Sequence, residues 1–212
     1  MATEFCDSKT KENLMRAFAG ESMARNRYTF AAEKAREAKM YVVEAVFEFT
    51  ADQEKEHAEI FMKHLAQCSG ENLEINGASY PISTESTVLE LLRFAQHNEY
   101  EESDDAYKYF SDTAKAEGFQ QIAADFKNIA EIERNHGDRF GMLADLIEEN
   151  KLFVADAEID WMCLNCGYIY KGTEAPEKCP VCKEDRGYYI RLELAPYSFR
   201  KMQQGAEQVE HS

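Results

Sequence analysis

The chain has 212 residues, of which 24 are Lys or Arg and 40 are Asp or Glu, so its formal net charge is −16. Such an acidic chain repels nucleic-acid phosphates and anionic lipid surfaces, and we expect neither nucleic acid nor membrane as a partner. A hydrophobic content of 44% argues against disorder, and because neither a signal-peptide core nor a long apolar stretch is evident, we expect a soluble, cytoplasmic protein.

Four long helices are predicted in the N-terminal part of the chain. Apolar side chains recur at helical spacing over residues 8–66, which indicates two amphipathic helices, and the same period returns over residues 86–115 and 119–149. The stretch from about residue 67 to residue 84 is rich in turn formers and too long for a tight hairpin, so it is interpreted as a crossover connection. Two helix pairs joined in this way predict a mainly α fold, a ferritin-like four-helix bundle over residues 1–150.

A second, much smaller domain is predicted over residues 158–197. Short β-prone pieces replace the helical period there, and four of the six cysteines form two pairs, Cys163-x-x-Cys166 and Cys179-x-x-Cys182. A module of about forty residues can scarcely bury a core, so a bound metal must supply its folding free energy. Residues 198–212 are interpreted as a polar tail.

Glutamates and histidines repeat in the two halves of the predicted bundle. They are Glu21, Glu54 and His57 in the first half and Glu99, Glu133 and His136 in the second. In each half a glutamate precedes a Glu-x-x-His motif by 33 or 34 residues, and that motif places a carboxylate and an imidazole on one helix face. One such motif alone would indicate only an exposed helix face. The matched halves predict the ligand set of a di-iron or di-manganese carboxylate bundle, in which metal charge offsets the burial of acids.

A seventh candidate ligand, Glu102, follows Glu99 by one helical turn on the same face. It could add an anionic ligand that a bundle with six ligands does not require. Alternatively, it joins Glu101, Asp104 and Asp105 in a solvated acidic face. Spacing alone leaves both interpretations open.

These motifs together resemble the rubrerythrin family. The resemblance is carried by the segment Ala19–Tyr28, both Glu-x-x-His motifs, Glu99-x-x-Glu102 with Tyr107 and the segment Ala116–Phe119 after it, and the C-terminal cysteine pairs. It extends over nearly the whole chain. It implies a non-haem di-iron site in the bundle, a rubredoxin domain after it, and a peroxidase that reduces hydrogen peroxide to water and protects an anaerobic or microaerophilic cell from oxidative stress.

The resemblance also implies a role for each ligand. The oxidised irons are expected to be bound by Glu21, Glu54, Glu99, Glu102, Glu133 and His136, with Glu54 and Glu133 bridging. On reduction, His57 is expected to replace Glu102 on one iron. This exchange is chemically reasonable because ferric ion prefers an anionic oxygen, whereas ferrous ion tolerates a neutral imidazole. Tyr28 and Tyr107 are implied to hydrogen-bond ligand carboxylates or to lie near the peroxide pocket, and plain core packing is the alternative for both.

The four paired cysteines suit zinc and a single iron equally by geometry, so their spacing alone also permits a zinc ribbon. The sequences Cys-Gly-Tyr-x-Tyr and Cys-Pro-x-Cys, with Trp161 before them, resemble rubredoxin and favour one iron. Cys6 and Cys68 have neither a paired cysteine nor a histidine at ligand spacing. They are interpreted as free thiols.

The expected reaction requires a source of electrons. The chain has no G-x-G-x-x-G motif after a strand, so we expect a separate electron-donor protein or NAD(P)H-dependent reductase, as for an NADH-peroxidase-type enzyme. The resemblance further implies a head-to-tail homodimer. Two other functions are considered: ferritin-like iron oxidation and storage, which needs no electron input, and a zinc-ribbon adaptor, which leaves the matched Glu-x-x-His motifs unexplained.

Overall fold

The computed structural model describes residues 4–82 and 86–196. The chain divides into two compact units, the first ending at Leu152 and the second beginning at Phe153. The interpreted polar tail, residues 198–212, lies outside the described residues. None of the helices within the described ranges is long and apolar enough to cross a membrane.

The first unit is a bundle built from long helices, as predicted. Its helices are α1 (Lys9–Glu37), α2 (Tyr41–Leu65), α3 (Val88–Glu101), α4 (Tyr107–Glu117) and α5 (Gln120–Glu148). The side chain of Ser8 accepts a hydrogen bond from the backbone at the start of α1, and Thr87 forms a capping box with Glu90 at the start of α3. Gly118 ends α4 in the left-handed conformation, with φ of 93°. The predicted break at Gly118 is therefore where the chain turns.

The third bundle helix, predicted over residues 86–115, runs without a break from Val88 to Glu117 but contains a π-helical turn that the sequence analysis did not predict. A π-helical turn, Glu102–Ala106, separates α3 from α4. A π-helical turn inserts an extra residue into the helical repeat and so rotates the side chains that follow it. Periodicity in the sequence does not reveal such a turn, because its flanks keep the helical pattern.

Aromatic side chains lie on either side of the polar middle of the bundle. Phe47 and Phe61 precede and follow the Glu-x-x-His motif on α2, and Phe126 and Phe140 do the same on α5. The ring centroids of Phe47 and Phe140 are 5.1 Å apart, as are those of Phe61 and Phe126. All four side chains are fully buried. These layers exclude water above and below the predicted metal ligands and hold the helices in register.

The interpretation of Cys6 and Cys68 as free thiols is wrong. The two residues form a disulfide across 62 positions of sequence, with their Cα atoms 6.0 Å apart. Because α1 and α2 form a helical hairpin, the segment before α1 lies beside the end of α2. The sequence did not reveal this pairing, because the two cysteines are far apart in the chain and only the helical hairpin brings them close together.

The second unit is a small antiparallel sheet. Its strands are β1 (Val154–Cys163), β2 (Ile169–Glu174) and β3 (Tyr189–Arg191), in the order β2-β1-β3. Trp161 on the central strand lies opposite Tyr170 on one side and Arg191 on the other, and it is fully buried. Its indole N–H donates to the carbonyl of Gly172 at 3.0 Å. The prediction of a helical bundle followed by a small β-rich module is confirmed.

Candidate metal centres

The structure brings six of the seven predicted acids and histidines of the bundle together. They come from four helices: Glu21 from α1, Glu54 and His57 from α2, Glu99 from α3, and Glu133 and His136 from α5. All six are buried. The i, i+3 spacing predicted which side chains share a helix face, and the packing of the four helices turns those faces toward one centre.

These side chains form two overlapping groups of possible ligand atoms. One group consists of Glu21, Glu54, His57 and Glu133, and the other of Glu54, Glu99, Glu133 and His136. Within each group the ligand atoms lie within 4.8 Å of one another. Glu54 and Glu133 belong to both groups, which is the arrangement expected of carboxylates that bridge two ions.

The two groups are related by an approximate two-fold symmetry. His57 Nδ1 lies 2.9 Å from Glu133 Oε1 and 3.3 Å from Glu54 Oε2, with Glu21 Oε2 at 3.8 Å. His136 Nδ1 lies 2.8 Å from the other oxygen of Glu133 and 3.1 Å from the other oxygen of Glu54, with Glu99 Oε2 at 3.9 Å. Each shared carboxylate thus presents one oxygen to each group. Two cations could be held side by side between these oxygens.

The same symmetry extends to two tyrosines. The hydroxyl of Tyr107 donates a hydrogen bond to Glu21 Oε1, and the hydroxyl of Tyr28 donates to Glu99 Oε1. Burial raises the pKa of both hydroxyls, and the adjacent glutamate raises each further, so both stay protonated. Each unshared glutamate therefore has one oxygen held by a tyrosine and the other directed into its group. Hydrogen bonding to ligand carboxylates, one of the roles that the resemblance implied for these tyrosines, is therefore observed, and both rings also pack against buried phenylalanines.

The unsatisfied polar atoms of the centre fit bound cations. Glu21 Oε2, Glu54 Oε1, both carboxylate oxygens of Glu133 and His136 Nδ1 are buried without a hydrogen-bond partner among the described residues. Several lie close to one another but are not oriented for hydrogen bonding. Buried polar atoms are rarely left unpaired, and carboxylates in particular require compensation. Metal ions between these atoms would supply it.

Electrostatics in the centre also favour cations. Burial raises the pKa of Glu21 and Glu99 well above its ordinary value, and the charges of Glu54 and Glu133 add to the effect. Burial lowers the pKa of His136, but the close carboxylates of Glu133 and Glu54 outweigh it and raise the pKa to about 9. Without metal, the centre therefore retains protons to balance its negative charge. Metal binding would displace those protons.

Glu102 lies outside both groups of ligand atoms formed by the described residues. It begins the π-helical turn and is half-buried. Burial and the nearby charges of Glu133 and Glu54 raise the pKa of its carboxyl to about 8, while the Arg27 guanidinium acts in the opposite direction. The resemblance implied that His57 and Glu102 replace each other as a ligand of one iron. In this structure His57 lies in the group with Glu21, Glu54 and Glu133, and Glu102 lies outside it.

Sequence reasoning missed two polar residues that surround the centre. The guanidinium of Arg27 lies 5.1 Å from the ring centroid of Tyr28 and 5.0 Å from that of Tyr80. The amide oxygen of Gln53 lies 3.1 Å from His136 Nε2, where it fixes the orientation of the imidazole. Arg27 immediately precedes Tyr28, and Gln53 immediately precedes Glu54. Their roles depend on contacts between different parts of the bundle, which the sequence does not show.

The four paired cysteines of the second unit also come together. The sulfur–sulfur distance is 3.7 Å between Cys163 and Cys182 and 3.6 Å between Cys166 and Cys179. A tetrahedral ion with metal–sulfur bonds of about 2.3 Å has edges of about 3.8 Å. These two distances fit that value, and all four sulfurs lie within 4.8 Å of one another, so a single tetrahedral ion could be held between them.

The two cysteine pairs have nearly the same local structure. The N–H of Gly167 donates to the carbonyl of Cys163 at 2.7 Å, and the N–H of Lys183 donates to that of Cys179 at 3.0 Å. Both donors follow the second cysteine of a pair and adopt positive φ, 77° for Gly167 and 67° for Lys183. Backbone N–H groups within each turn also bond to the cysteine sulfurs. Such bonds stabilise negative charge on thiolate ligands and tune the potential of a bound iron.

Comparisons with known proteins agree with this organisation. Residues 12–144 match the family described as Rubrerythrin, and residues 161–190 match the family described as Rubrerythrin, rubredoxin-like domain. A rubrerythrin of Clostridium perfringens is 44% identical over 183 residues, covering 86% of this chain and 93% of the relative. A rubrerythrin of Porphyromonas gingivalis is 43% identical and covers 86% of this chain and 89% of the relative.

Solved structures are similar as well. A mixed-valence structure of nigerythrin superposes with a TM-score of 0.58 at 28% identity, covering 89% of this chain and 92% of that one. A bacterioferritin of Mycobacterium tuberculosis, at 15% identity and a TM-score of 0.59 over 70% of this chain and 90% of its own, shares the fold alone. The cofactors that these domains carry are a non-haem di-iron centre and a rubredoxin-type iron. The chain belongs to the rubrerythrin family, with a di-iron bundle followed by a rubredoxin-like domain.

Proposed function

We infer that this protein is a peroxidase that reduces hydrogen peroxide to water, with electrons relayed one at a time through the iron of the four-cysteine site. The observation that carries the inference is the sharing of Glu54 and Glu133, one oxygen of each in each ligand group. Such sharing suits two irons close enough to act on one small substrate. The chemistry that the iron pair supplies is the delivery of two electrons to one O–O bond.

The protein's own residues orient the metal ligands and shield the reaction from water. Glu21 and Glu99 are held by tyrosine hydroxyls, so each presents a single oxygen inward. The aromatic layers around the centre exclude bulk water, which strengthens electrostatic interactions inside it. Reduction of one peroxide consumes two electrons and two protons and yields two waters, so the site must also admit protons.

With two irons bound, His57 and Glu102 would exchange places as ligands when the centre changes its oxidation state. The proposed ligands of the di-iron centre, over both oxidation states, are Glu21, Glu54, His57, Glu99, Glu102, Glu133 and His136. His57 lies among the ligand atoms while Glu102 stands outside them, which supports the exchange because only one of the two side chains occupies the group. In place of the neutral imidazole, the Glu102 carboxylate would add a negative charge that offsets the positive charge gained by oxidised irons. His57→Ala is expected to retain iron but to reduce peroxide more slowly, and wild-type turnover in this variant would contradict the exchange.

The cysteine site, formed by Cys163, Cys166, Cys179 and Cys182, receives electrons from a separate donor protein or an NAD(P)H-dependent reductase. The rubredoxin-like domain supports this part of the proposal, since such domains carry single electrons. A head-to-tail homodimer in the cytoplasm would let the cysteine site of one subunit serve the di-iron site of the other. Mixed dimers of Cys182→Ser and Glu21→Ala subunits test that arrangement. Activity restored on mixing supports it, and mixed dimers without activity contradict it.

The decisive experiment mixes the reduced, iron-loaded protein with hydrogen peroxide in a stopped-flow spectrometer. We expect the visible absorption of both ferric sites to appear with two electrons consumed per peroxide. Glu21→Ala serves as the control, because its cysteine site is intact. Rapid oxidation by oxygen with uptake of further Fe(II), and slow reaction with peroxide, would instead indicate ferritin-like iron oxidation. Zinc in the cysteine site would refute the electron relay.

A further inference from the structure

A cavity of about 580 Å³ lies beside α1. Its outer wall is formed by the residues 77–81, from the crossover connection, together with Glu101 and Asp105. Its inner wall includes Tyr107 and Glu102. Tyr107 is almost completely buried, and its hydroxyl contacts the Glu21 carboxylate of the di-iron centre. The cavity therefore connects the surface with a residue that touches a predicted metal ligand.

Gly20 on α1 also lines the cavity, and it immediately precedes Glu21. Glycine within a helix is destabilising relative to alanine, so a close contact usually explains it. A Cβ atom on Gly137 of α5 would lie 2.6 Å from the ring of Tyr100, which accounts for that glycine. A Cβ atom on Gly20 would meet nothing within 4 Å among the described residues. Packing therefore does not require glycine at position 20, and the space that its missing side chain leaves is part of the cavity.

The π-helical turn shapes the opposite side of the cavity. Glu102, Asp105 and Ala106 belong to this turn and line the cavity, and Tyr107 follows it directly. π-helical turns are often found at functional sites because they redirect side chains. This turn directs both Glu102, the proposed exchanging ligand, and Tyr107 toward the same space.

We propose that this cavity is the entry route by which small, uncharged molecules such as hydrogen peroxide reach the di-iron centre, and that the absence of a large side chain at position 20 keeps it open. The proposal rests on the proposed function for the identity of the substrate but not for the existence of the route. Charged side chains of both signs line the cavity, Glu101 and Asp105 on one hand and Arg16 on the other, and none of them hinders a neutral peroxide. Glu102 borders the route, so its exchange with His57 takes place where the substrate arrives.

The test obstructs the route from two sides and measures entry directly. Gly20→Leu places a side chain in the open space from α1, and Ala78→Trp obstructs the outer wall from the crossover connection, away from the metal ligands. Gly20→Ala is the matched control, because a methyl group has room there. Each variant is loaded with iron, its metal content is measured, and the rate at which nitric oxide binds to the diferrous protein is followed by absorption. Nitric oxide is neutral and about the size of peroxide, and its binding does not depend on turnover.

We expect Gly20→Leu and Ala78→Trp to slow nitric oxide entry by about tenfold or more, with Gly20→Ala within about twofold of wild type. The value of kcat/KM for peroxide should fall in parallel with entry. Wild-type entry rates in both obstructed variants would overturn the proposal, and if Gly20→Leu fails to hold iron, Ala78→Trp alone decides. A wild-type protein that admits nitric oxide along this route but consumes no peroxide would refute the proposed function and leave the route standing.

Discussion

Glu117, at the end of α4, should stabilise the bundle by capping α1. Its carboxylate accepts hydrogen bonds from the backbone N–H of Lys9 at 3.0 Å and of Thr10 at 2.8 Å, and from the hydroxyl of Thr10 at 2.6 Å. A negative charge there also interacts favourably with the N-terminus of α1. Glu117→Ala leaves three donors without their acceptor, two of them on the fully buried Thr10.

We expect Glu117→Ala to lower the free energy of unfolding by about 2 kcal/mol, from a lost cap and charged hydrogen bonds at a half-buried position. Glu117→Gln keeps one acceptor oxygen and should lose about 1 kcal/mol. Urea unfolding of the full-length protein, followed by helical circular dichroism, measures both values. Glu37→Gln, which breaks an exposed ion pair with Lys34, is the control and should change stability by less than about 0.5 kcal/mol.

The pH dependence of the same variants provides a second check. Burial raises the pKa of Glu117, but the hydrogen bonds from Thr10 and Lys9 outweigh it, so the pKa is lowered in the folded protein. A group with a lowered pKa contributes stability above its unfolded pKa of about 4.3 and loses that contribution as the pH falls through its folded pKa. The difference between wild type and Glu117→Gln should therefore shrink in acid. A difference that is absent at neutral pH, or that grows in acid, would refute the capping role.

Three further substitutions have expected outcomes. Tyr107→Phe removes the hydrogen bond to Glu21 and should weaken metal binding about 10-fold to 100-fold, as competitive Co²⁺ titration would detect; unchanged affinity would show that the bond is dispensable. Gly137→Ala forces a Cβ atom to within 2.6 Å of an aromatic ring and should cost about 1–3 kcal/mol in urea unfolding, whereas added stability would contradict that contact. Cys6→Ser with Cys68→Ser opens a covalent loop spanning 62 residues and should cost about 2–4 kcal/mol under oxidising conditions and nothing in reductant.

Much of the fold and of the metal chemistry could be predicted from local patterns. Helical periodicity determines where long helices form, and i, i+3 spacing determines that Glu54 and His57 share a face. The Cys-x-x-Cys pairs bring two sulfurs within reach of one ion, and a small module needs that ion to fold. These features depend on residues one to four positions apart, which backbone geometry alone relates.

Contacts between distant residues could not be predicted in this way. The Tyr107–Glu21 hydrogen bond spans 86 residues, and the Cys6–Cys68 disulfide spans 62, so both depend on how the helices pack. The π-helical turn that begins at Glu102 also escaped the sequence analysis, because a single inserted residue leaves the pattern on either side intact.

The sequence by itself therefore determined which residue types line each helix face, the two-part organisation of the chain and the kinds of metal it can hold. Only the tertiary structure decided that Glu54 and Glu133 each offer one oxygen to both ligand groups, that Glu102 stands outside them, and that a cavity beside Gly20 reaches toward them. The physical reason is the range of the interactions involved. Backbone geometry relates neighbours along one helix, whereas the distances between carboxylates on different helices follow from the close packing of the whole core.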